Sequence, residues 1–231
     1  MHSLTSLLSN SHALSRLVVS GAALVVAATA HANLLTNPGY EVSTITTANN
    51  VLNNFVGFQG VWGPELGTIT GATGGVTPFA GAQMHRLLNS GGAASQTFQA
   101  VDVSSFSALI NAGNAQITAS AFFNTVGGYT GAQSSVVVLF FSGATYSSLL
   151  GNSGFGGLNL DANPLTWENA SVTSMIPVNT TWVVFQGAYS NASIGNNPGF
   201  IDDAFMDITA VPAPGALALL GLAGIVGRRR R

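Results

Sequence analysis

The 231-residue chain has no cysteine and no lysine, and only 6% of its residues are charged. The lack of cysteine excludes disulfides, a thiolate nucleophile and thiolate metal sites, so stability has to come from core burial. The few arginines lie mainly at the two ends, which leaves residues 33–210 with all eight carboxylates and one cation, Arg86. A surface of this kind cannot neutralise phosphates, so nucleic acid is excluded as a partner.

Residues 1–32 have the layout of a secretory signal peptide. Arg16 precedes an apolar stretch at 17–28, and Ala30-His31-Ala32 forms an A-x-A cleavage site. Cleavage there makes Asn33 the first residue of the exported chain. The part before the apolar stretch is long for a signal peptide, so an uncleaved membrane anchor is the alternative.

The final segment, 211–231, places two prolines, an apolar run and four arginines in that order. Residues 213–227 carry no charge and would form about 22 Å of helix, against a hydrocarbon layer of about 30 Å. Terminal arginines can reach the cytoplasmic headgroups and lengthen the span, with the rest of the protein outside. The alternative is a helix packed on the domain, which the lack of a polar face disfavours.

This segment resembles the PEP-CTERM sorting signal of exopolysaccharide-producing Gram-negative bacteria. The matching residues are the motif Val211, Pro212, Ala213 and Pro214 and the terminal Arg228, Arg229, Arg230 and Arg231. The resemblance implies that the export machinery delivers the chain to the inner membrane, where an exosortase cuts the tail. The protein then passes to the cell surface or extracellular matrix. Ala213 replaces the family's glutamate, so permanent anchoring stays an alternative.

The pattern of residues 33–210 predicts a single all-β domain. Short runs rich in β-branched and aromatic residues are separated by Gly/Asn/Pro/Ser clusters at 127–128, 151–157 and 196–199. The predicted strands are 94–101, 115–123, 135–142, 170–176, 181–187 and 200–209, with a short helix at 103–112. This spacing favours an antiparallel β-sandwich of jelly-roll type.

Both ends of the domain resemble galactose-binding-like jelly rolls, which include carbohydrate-binding modules of secreted glycosidases. The matching stretches are NLLTNPGYE at 33–41 and FIDDAF at 200–205. The resemblance implies a structural calcium ion held by Glu41 with Asp202 or Asp203, through hard oxygen ligands.

Strand alternation decides between the two aspartates. If Ala204 and Met206 face the core, Asp202 faces it too, whereas Asp203 faces water with Phe205. The alternative to calcium is a buried Asp202 that accepts backbone N–H bonds without an ion.

Aromatic side chains in loops are the candidate glycan platforms. Trp62 lies in a Gly-flanked loop and Tyr129 follows two glycines, so both are candidates for an exposed platform. The alternative is that each ring anchors its loop without contacting a ligand. Trp182 lies within an apolar run, which favours a core position.

Catalysis has weak support in the sequence. His85 is the only histidine after residue 32, and Glu65 and Glu168 are the remaining pair for glycoside hydrolysis. We therefore expect a non-enzymatic protein with a structural or interaction role in exopolysaccharide. The alternatives are a carbohydrate-binding module and, less favoured, a glycan hydrolase.

Overall fold

The computed structural model describes residues 32–42, 60–64, 67–87, 94–143, 148–190 and 198–211. Residues 1–31 of the predicted signal peptide, Glu65, and the predicted sorting segment from Pro212 onward lie outside these residues. Within them no helix is both long and apolar enough to cross a membrane.

The described residues form two antiparallel sheets. Along the chain the elements are β1 (Gly63–Pro64), β2 (Gly67–Thr70), β3 (Met84–Leu87), β4 (Ala94–Asp102), a 3₁₀ turn (Ser104–Phe106), α1 (Ser107–Asn111), β5 (Ala115–Thr125), β6 (Gln133–Ser142), β7 (Ser148–Asn159), β8 (Glu168–Met175), β9 (Trp182–Ser190) and β10 (Gly199–Ala210). One sheet has the order β1-β4-β9-β6-β7, and the other has the order β2-β3-β10-β5-β8.

The main core lies between the sheets because alternate residues of each strand are apolar. On β5, Ile117, Ala119 and Ala121 are fully buried, whereas Thr118 and Ser120 between them are partly exposed. Residues of β6, β9 and β10 join the same buried cluster. The all-β antiparallel sandwich is therefore confirmed, and the architecture is consistent with a jelly roll.

All six predicted strands are confirmed, but one predicted separator is wrong. The cluster at 151–157 was expected to be a separator, but it lies inside β7. Strand β7 is an edge strand that pairs only with β6 in its sheet, so its residues need few core contacts. Glycines are tolerated there because the ladder depends on backbone groups.

Candidate functional site

Residues 33–38, which we call the opening segment, lie beside β10 just past the point where β3 stops pairing with it. Leu34 N–H donates to the Met206 carbonyl at 2.8 Å, and Ala204 N–H donates to the Pro38 carbonyl at 3.0 Å. The Asn33 side chain bonds both ways, donating to the Ala204 carbonyl and accepting from Met206 N–H. These contacts give a physical reason why the motifs at 33–41 and 200–205 occur together, because the opening segment bonds to the edge of the last strand, β10.

A β-bulge changes the side-chain alternation of β10. Asp202 pairs with Phe122, whereas the next described pair is Phe205 with Ser120, so one extra residue lies between them on β10. Asp203 has a φ of 45°, in the left-handed region that a bulge uses. The bulge places Asp202 on the outer face with Phe122, not on the core face with Ala204. The predicted orientation of Asp202 was therefore wrong, although its burial was right.

The loop 71–83 buries Asp202 from outside. Phe79 and Ala80 donate their N–H groups to Asp202 Oδ2 at 2.8 and 3.2 Å, and Asp203 N–H donates to Oδ1. Burial raises the pKa of Asp202 to about 6, although the hydrogen bonds from Asp203, Ala80 and Phe79 oppose the shift. The carboxylate is thus held by three backbone N–H groups.

The same loop holds Glu41. Ala82 and Gln83 donate their N–H groups to Glu41 Oε1 at 3.0 and 3.2 Å. Between the two carboxylate contacts lies Gly81 with a φ of 65°, and an added Cβ there would lie 2.0 Å from Glu41 Oε1. Only glycine allows the loop to pass this closely.

This arrangement does not fit a calcium ion. Calcium binds six to eight oxygen ligands, but here N–H donors with partial positive charge face the oxygens of Glu41 and Asp202. Asp203 is exposed, and the described residues contain no group of three or more His, Asp or Glu placed to hold a metal. The hydrogen bonds match the alternative in which a buried Asp202 accepts backbone N–H bonds. Calcium binding stays an untested prediction of the resemblance.

Trp62 was wrongly expected to be an exposed platform. It is 1% exposed, its Nε1 donates to the Asn37 carbonyl at 2.8 Å, and its ring lies 4.7 Å from that of Tyr40. Tyr129 is half-buried and packs against the main core cluster. Both side chains therefore anchor loops onto the core.

His85 is also part of the interior. It is 1% exposed, its ring lies 5.2 Å from Tyr40, and neither ring nitrogen has a hydrogen-bond partner among the described residues. Burial lowers the pKa of His85 to about 3. An enclosed, neutral imidazole of this kind cannot act as a general base toward an external substrate.

Glu168 lies at the start of β8 and accepts a hydrogen bond from Asp161 N–H at 3.1 Å. Burial raises the pKa of Glu168 above its usual value. Its suggested catalytic partner, Glu65, lies outside the described residues, so that pairing stays untested.

The open part of the outer sheet surface offers a different site, the groove face. It consists of the outward side chains of the neighbouring strands β10, β5 and β8. Thr118, Phe205, Asp207 and Thr209 line a groove of about 240 Å³. Cross-strand pairing arranges the face in rows: Phe205–Ser120–Ser171, Asp207–Thr118–Thr173 and Thr209–Gln116–Met175.

An aromatic shelf closes one end of the groove face. Phe122 lies one row beyond Ser120, and the Phe79 ring stacks on it with centroids 3.8 Å apart. Trp167 meets Phe79 edge-on at 6.1 Å, and its Nε1 donates to the Thr77 carbonyl. Phe79 is 42% exposed, so the loop 71–83 presents an accessible ring beside a polar surface.

Sequence reasoning did not select the groove face, although one signal was present. The alternation in ITASAFF places Thr118, Ser120 and Phe122 on one side of β5. Phe205 was expected to face away from the core, which the structure confirms. The contribution of Phe79 depends on a contact between a loop and a distant strand, which no local pattern contains.

Comparisons with known proteins support the fold. No known protein family and no curated protein matches the chain. A cyclase from Fischerella sp. TAU is similar in structure, with 11% identity, a TM-score of 0.53 and coverage of 80% of this chain and 100% of the cyclase.

Two solved carbohydrate-binding structures are similar at lower TM-scores. The module TmCBM61, in complex with β-1,4-galactotriose, has 14% identity, a TM-score of 0.46 and coverage of 76% of this chain and 97% of the module. The CBM22-1 xylan-binding domain of Xyn10C from Paenibacillus barcinonensis has 12% identity, a TM-score of 0.48 and coverage of 81% and 100%. At these identities the likeness concerns the fold alone.

Proposed function

We propose that this β-sandwich is a non-catalytic module that binds carbohydrate on its groove face. The observation that carries the proposal is the combination, on one outer sheet surface, of aromatic rings with hydroxyl groups and the largely buried carboxylate of Asp207. Aromatic faces pack on the apolar faces of sugar rings, and nearby polar side chains bond the sugar hydroxyls. Phe79 and Phe205 supply rings, while Thr118, Asp207 and Thr209 supply polar contacts around the groove.

The dimensions of the face suit an extended glycan. The outward residues from Gln116 to Phe122 on β5 cover about 20 Å, at about 3.4 Å per residue. Three neighbouring strands give a width of about 10 Å. A linear oligosaccharide of several units lying along β5 would reach both the hydroxyl rows and the Phe79–Phe122 shelf.

The direct test is binding of a panel of soluble polysaccharides by isothermal calorimetry or affinity electrophoresis. Phe205→Ala should weaken binding about tenfold, because a ring–sugar contact is lost. Thr118→Val removes a hydroxyl at nearly constant volume and should weaken binding less. Leu149→Ala is the matched control, because Leu149 is 51% exposed on β7 of the other sheet. Equal binding by all three variants would overturn the proposal.

We also propose that the module is exported and acts at the cell surface or in the exopolysaccharide matrix. This second proposal is supported by the sequence alone, through the A-x-A site before Asn33 and the motif at 211–214 followed by an apolar run and four arginines. Intact-mass measurement of the protein from cells and medium tests it. Loss of residues 1–32 and of the tail beyond the motif is the expected result, and a full-length product in the cytoplasm would contradict it.

A further inference from the structure

We infer that the groove face binds the end of a glycan chain, with the terminal sugar against the aromatic shelf. This inference rests on the proposed function and names the part of the glycan that is recognised. The observation that carries it is a change in burial along the outer surface of one sheet, from partly exposed rows at the groove to covered rows beyond the shelf.

The groove runs along the strands, so a glycan that fills it points at the shelf. Phe205, Asp207 and Thr209 line the groove from β10, and alternate residues of a strand face the same side. They cover about 14 Å, at about 3.4 Å per residue. Phe205 pairs with Ser120, in the row next to Phe122. The Phe205 end of the groove is therefore the end at the shelf.

Beyond the shelf, loops cover the outward side chains of the same strands. Phe200 and Asn124 form the row after Phe122, and both are buried. Phe200 packs in a small buried cluster with the loop 71–83, and the Asn124 side chain donates to the Pro164 carbonyl at 3.0 Å. A glycan that lies in the groove therefore cannot continue along the sheet past this row.

Several contacts hold the loop 71–83 against the sheet. Two of its N–H groups, from Phe79 and Ala80, bond to the buried Asp202, and two more bond to Glu41. Moving the loop aside would break these bonds and uncover the apolar cluster beneath it. One added ring–sugar contact does not offset both losses. The glycan therefore ends at the shelf and does not displace it.

The opposite end of the groove is open in the part of the chain that the structure describes. The last row of the groove face, Thr209–Gln116–Met175, ends at the exposed Met175. Ala210, the residue after Thr209, is also exposed. The shelf thus closes one end of the groove, and the other end leaves room for the rest of the glycan.

The shelf has groups that suit a terminal sugar. One face of the Phe79 ring stacks on Phe122, and the exposed part of the ring is left for the apolar side of a sugar. Ser120 and Ser171 place hydroxyls in the adjoining row. A terminal sugar keeps a free hydroxyl where an internal sugar carries its next glycosidic bond. A serine hydroxyl can donate a hydrogen bond to that group or accept one from it.

The number of proteins bound per glycan chain tests the inference. The linear polysaccharide that binds most tightly in the panel is cut into fractions of increasing chain length, and each fraction is titrated with the full chain by isothermal calorimetry. Binding at the chain end predicts a constant number of proteins per glycan chain, so the binding capacity per gram falls as the glycan lengthens. Binding along the glycan predicts a number of proteins per chain that rises with length.

Phe79→Ala tests the shelf directly. It removes the ring but keeps the N–H bond to Asp202, so the loop stays in place. Binding should weaken about tenfold for short and long fractions alike, with the number of proteins per glycan chain unchanged. Leu149→Ala is the matched control, because it truncates an exposed apolar side chain on the other sheet, and it should bind as the unmodified protein does.

The outcomes separate this inference from the proposed function. A number of proteins per glycan chain that rises with chain length overturns the inference, while glycan binding stands. Unchanged affinity in Phe79→Ala, or an equal loss in Leu149→Ala, also overturns it, because the shelf would then make no contact of its own. If no polysaccharide in the panel binds, the proposed function itself fails, and the inference fails with it.

Discussion

Two buried ionisable groups should give opposite pH dependences to the stability of the domain. His85 and Asp202 both lie near Tyr40, whose pKa is raised by burial and, to a smaller extent, by the Asp202 charge. Replacing each group by an uncharged side chain, as His85→Leu and Asp202→Asn, removes its titration. The difference in unfolding free energy between the variant and the unmodified chain, followed over pH, then reports on that one group, because all other titrating groups are common to both.

The direction in which His85 changes the stability with pH follows from its lowered pKa. The imidazole has a pKa of about 3 when folded and about 6.5 when unfolded, so its contribution is present above pH 6.5 and is lost as the pH falls toward 3. Between these values the loss is about 1.4 kcal/mol per pH unit. Relative to the unmodified chain, His85→Leu should therefore gain about 2.7 kcal/mol between pH 7.5 and pH 4.5.

Asp202 changes the stability with pH in the opposite direction, because its pKa is raised. Its pKa is about 6 when folded, against about 3.9 when unfolded, so its contribution is present below pH 4 and is lost as the pH rises through 6. Between pH 7.5 and pH 4.5, Asp202→Asn should lose about 2 kcal/mol relative to the unmodified chain. In the unmodified protein the two groups change the unfolding free energy with pH in opposite directions. Together they should therefore leave only a weak dependence of stability on pH.

Urea denaturation at four pH values between 7.5 and 4.5 measures both differences. The exposed Asp102, replaced by Asn, is the control for a change of charge without burial. Stability curves for His85→Leu and the unmodified chain that run parallel within about 0.5 kcal/mol would refute the argument. They would mean that the imidazole is solvated or hydrogen-bonded, contrary to its enclosed position beside Tyr40.

Three further predictions concern the loop and the core. Gly81→Ala should destabilise the domain by about 1–2 kcal/mol more than Gly113→Ala, as measured in urea, because both sites have positive φ but only Gly81 faces Glu41. Equal effects would argue against the loop contact. Trp62→Ala should cost about 3–5 kcal/mol of unfolding free energy, since the ring is buried; a change below 1 kcal/mol would contradict that placement. Millimolar calcium should leave the melting temperature unchanged, and a clear rise would show that the N–H contacts to Asp202 give way to metal binding.

The sequence predicts the sandwich well where strands have one buried side. Alternation on β5 and the apolar runs of β6 and β9 correspond to strands whose inner residues join the core. Strand β7 was missed because four glycines at 151, 154, 156 and 157 are typical of a turn. Its extended form is stabilised by pairing with β6, and pairing is a non-local contact that local propensity does not contain.

The orientation of Asp202 could not be predicted for a related reason. Alternation assumes an uninterrupted strand, and a single inserted residue reverses the side on which every earlier residue lies. Nothing in IDDAF distinguishes a regular strand from a bulged one. The positive φ of Asp203 and the pairing shift after Asp202 are fixed by where β10 meets both β5 and the opening segment.

The outer surface of one sheet thereby serves two purposes that the sequence does not separate. At one end the loop 71–83 covers it, and Met84 and Phe200 form a small core with Val76 of the loop. At the other end the loop is absent, and side chains at equivalent strand positions line the groove. The boundary is the Phe79–Phe122 stack, because Phe79 belongs to the loop and Phe122 to the sheet. The contacts of the buried Asp202 and the exposed Glu41 hold the loop in this place, so these two carboxylates set the length of open sheet on which a ligand can lie.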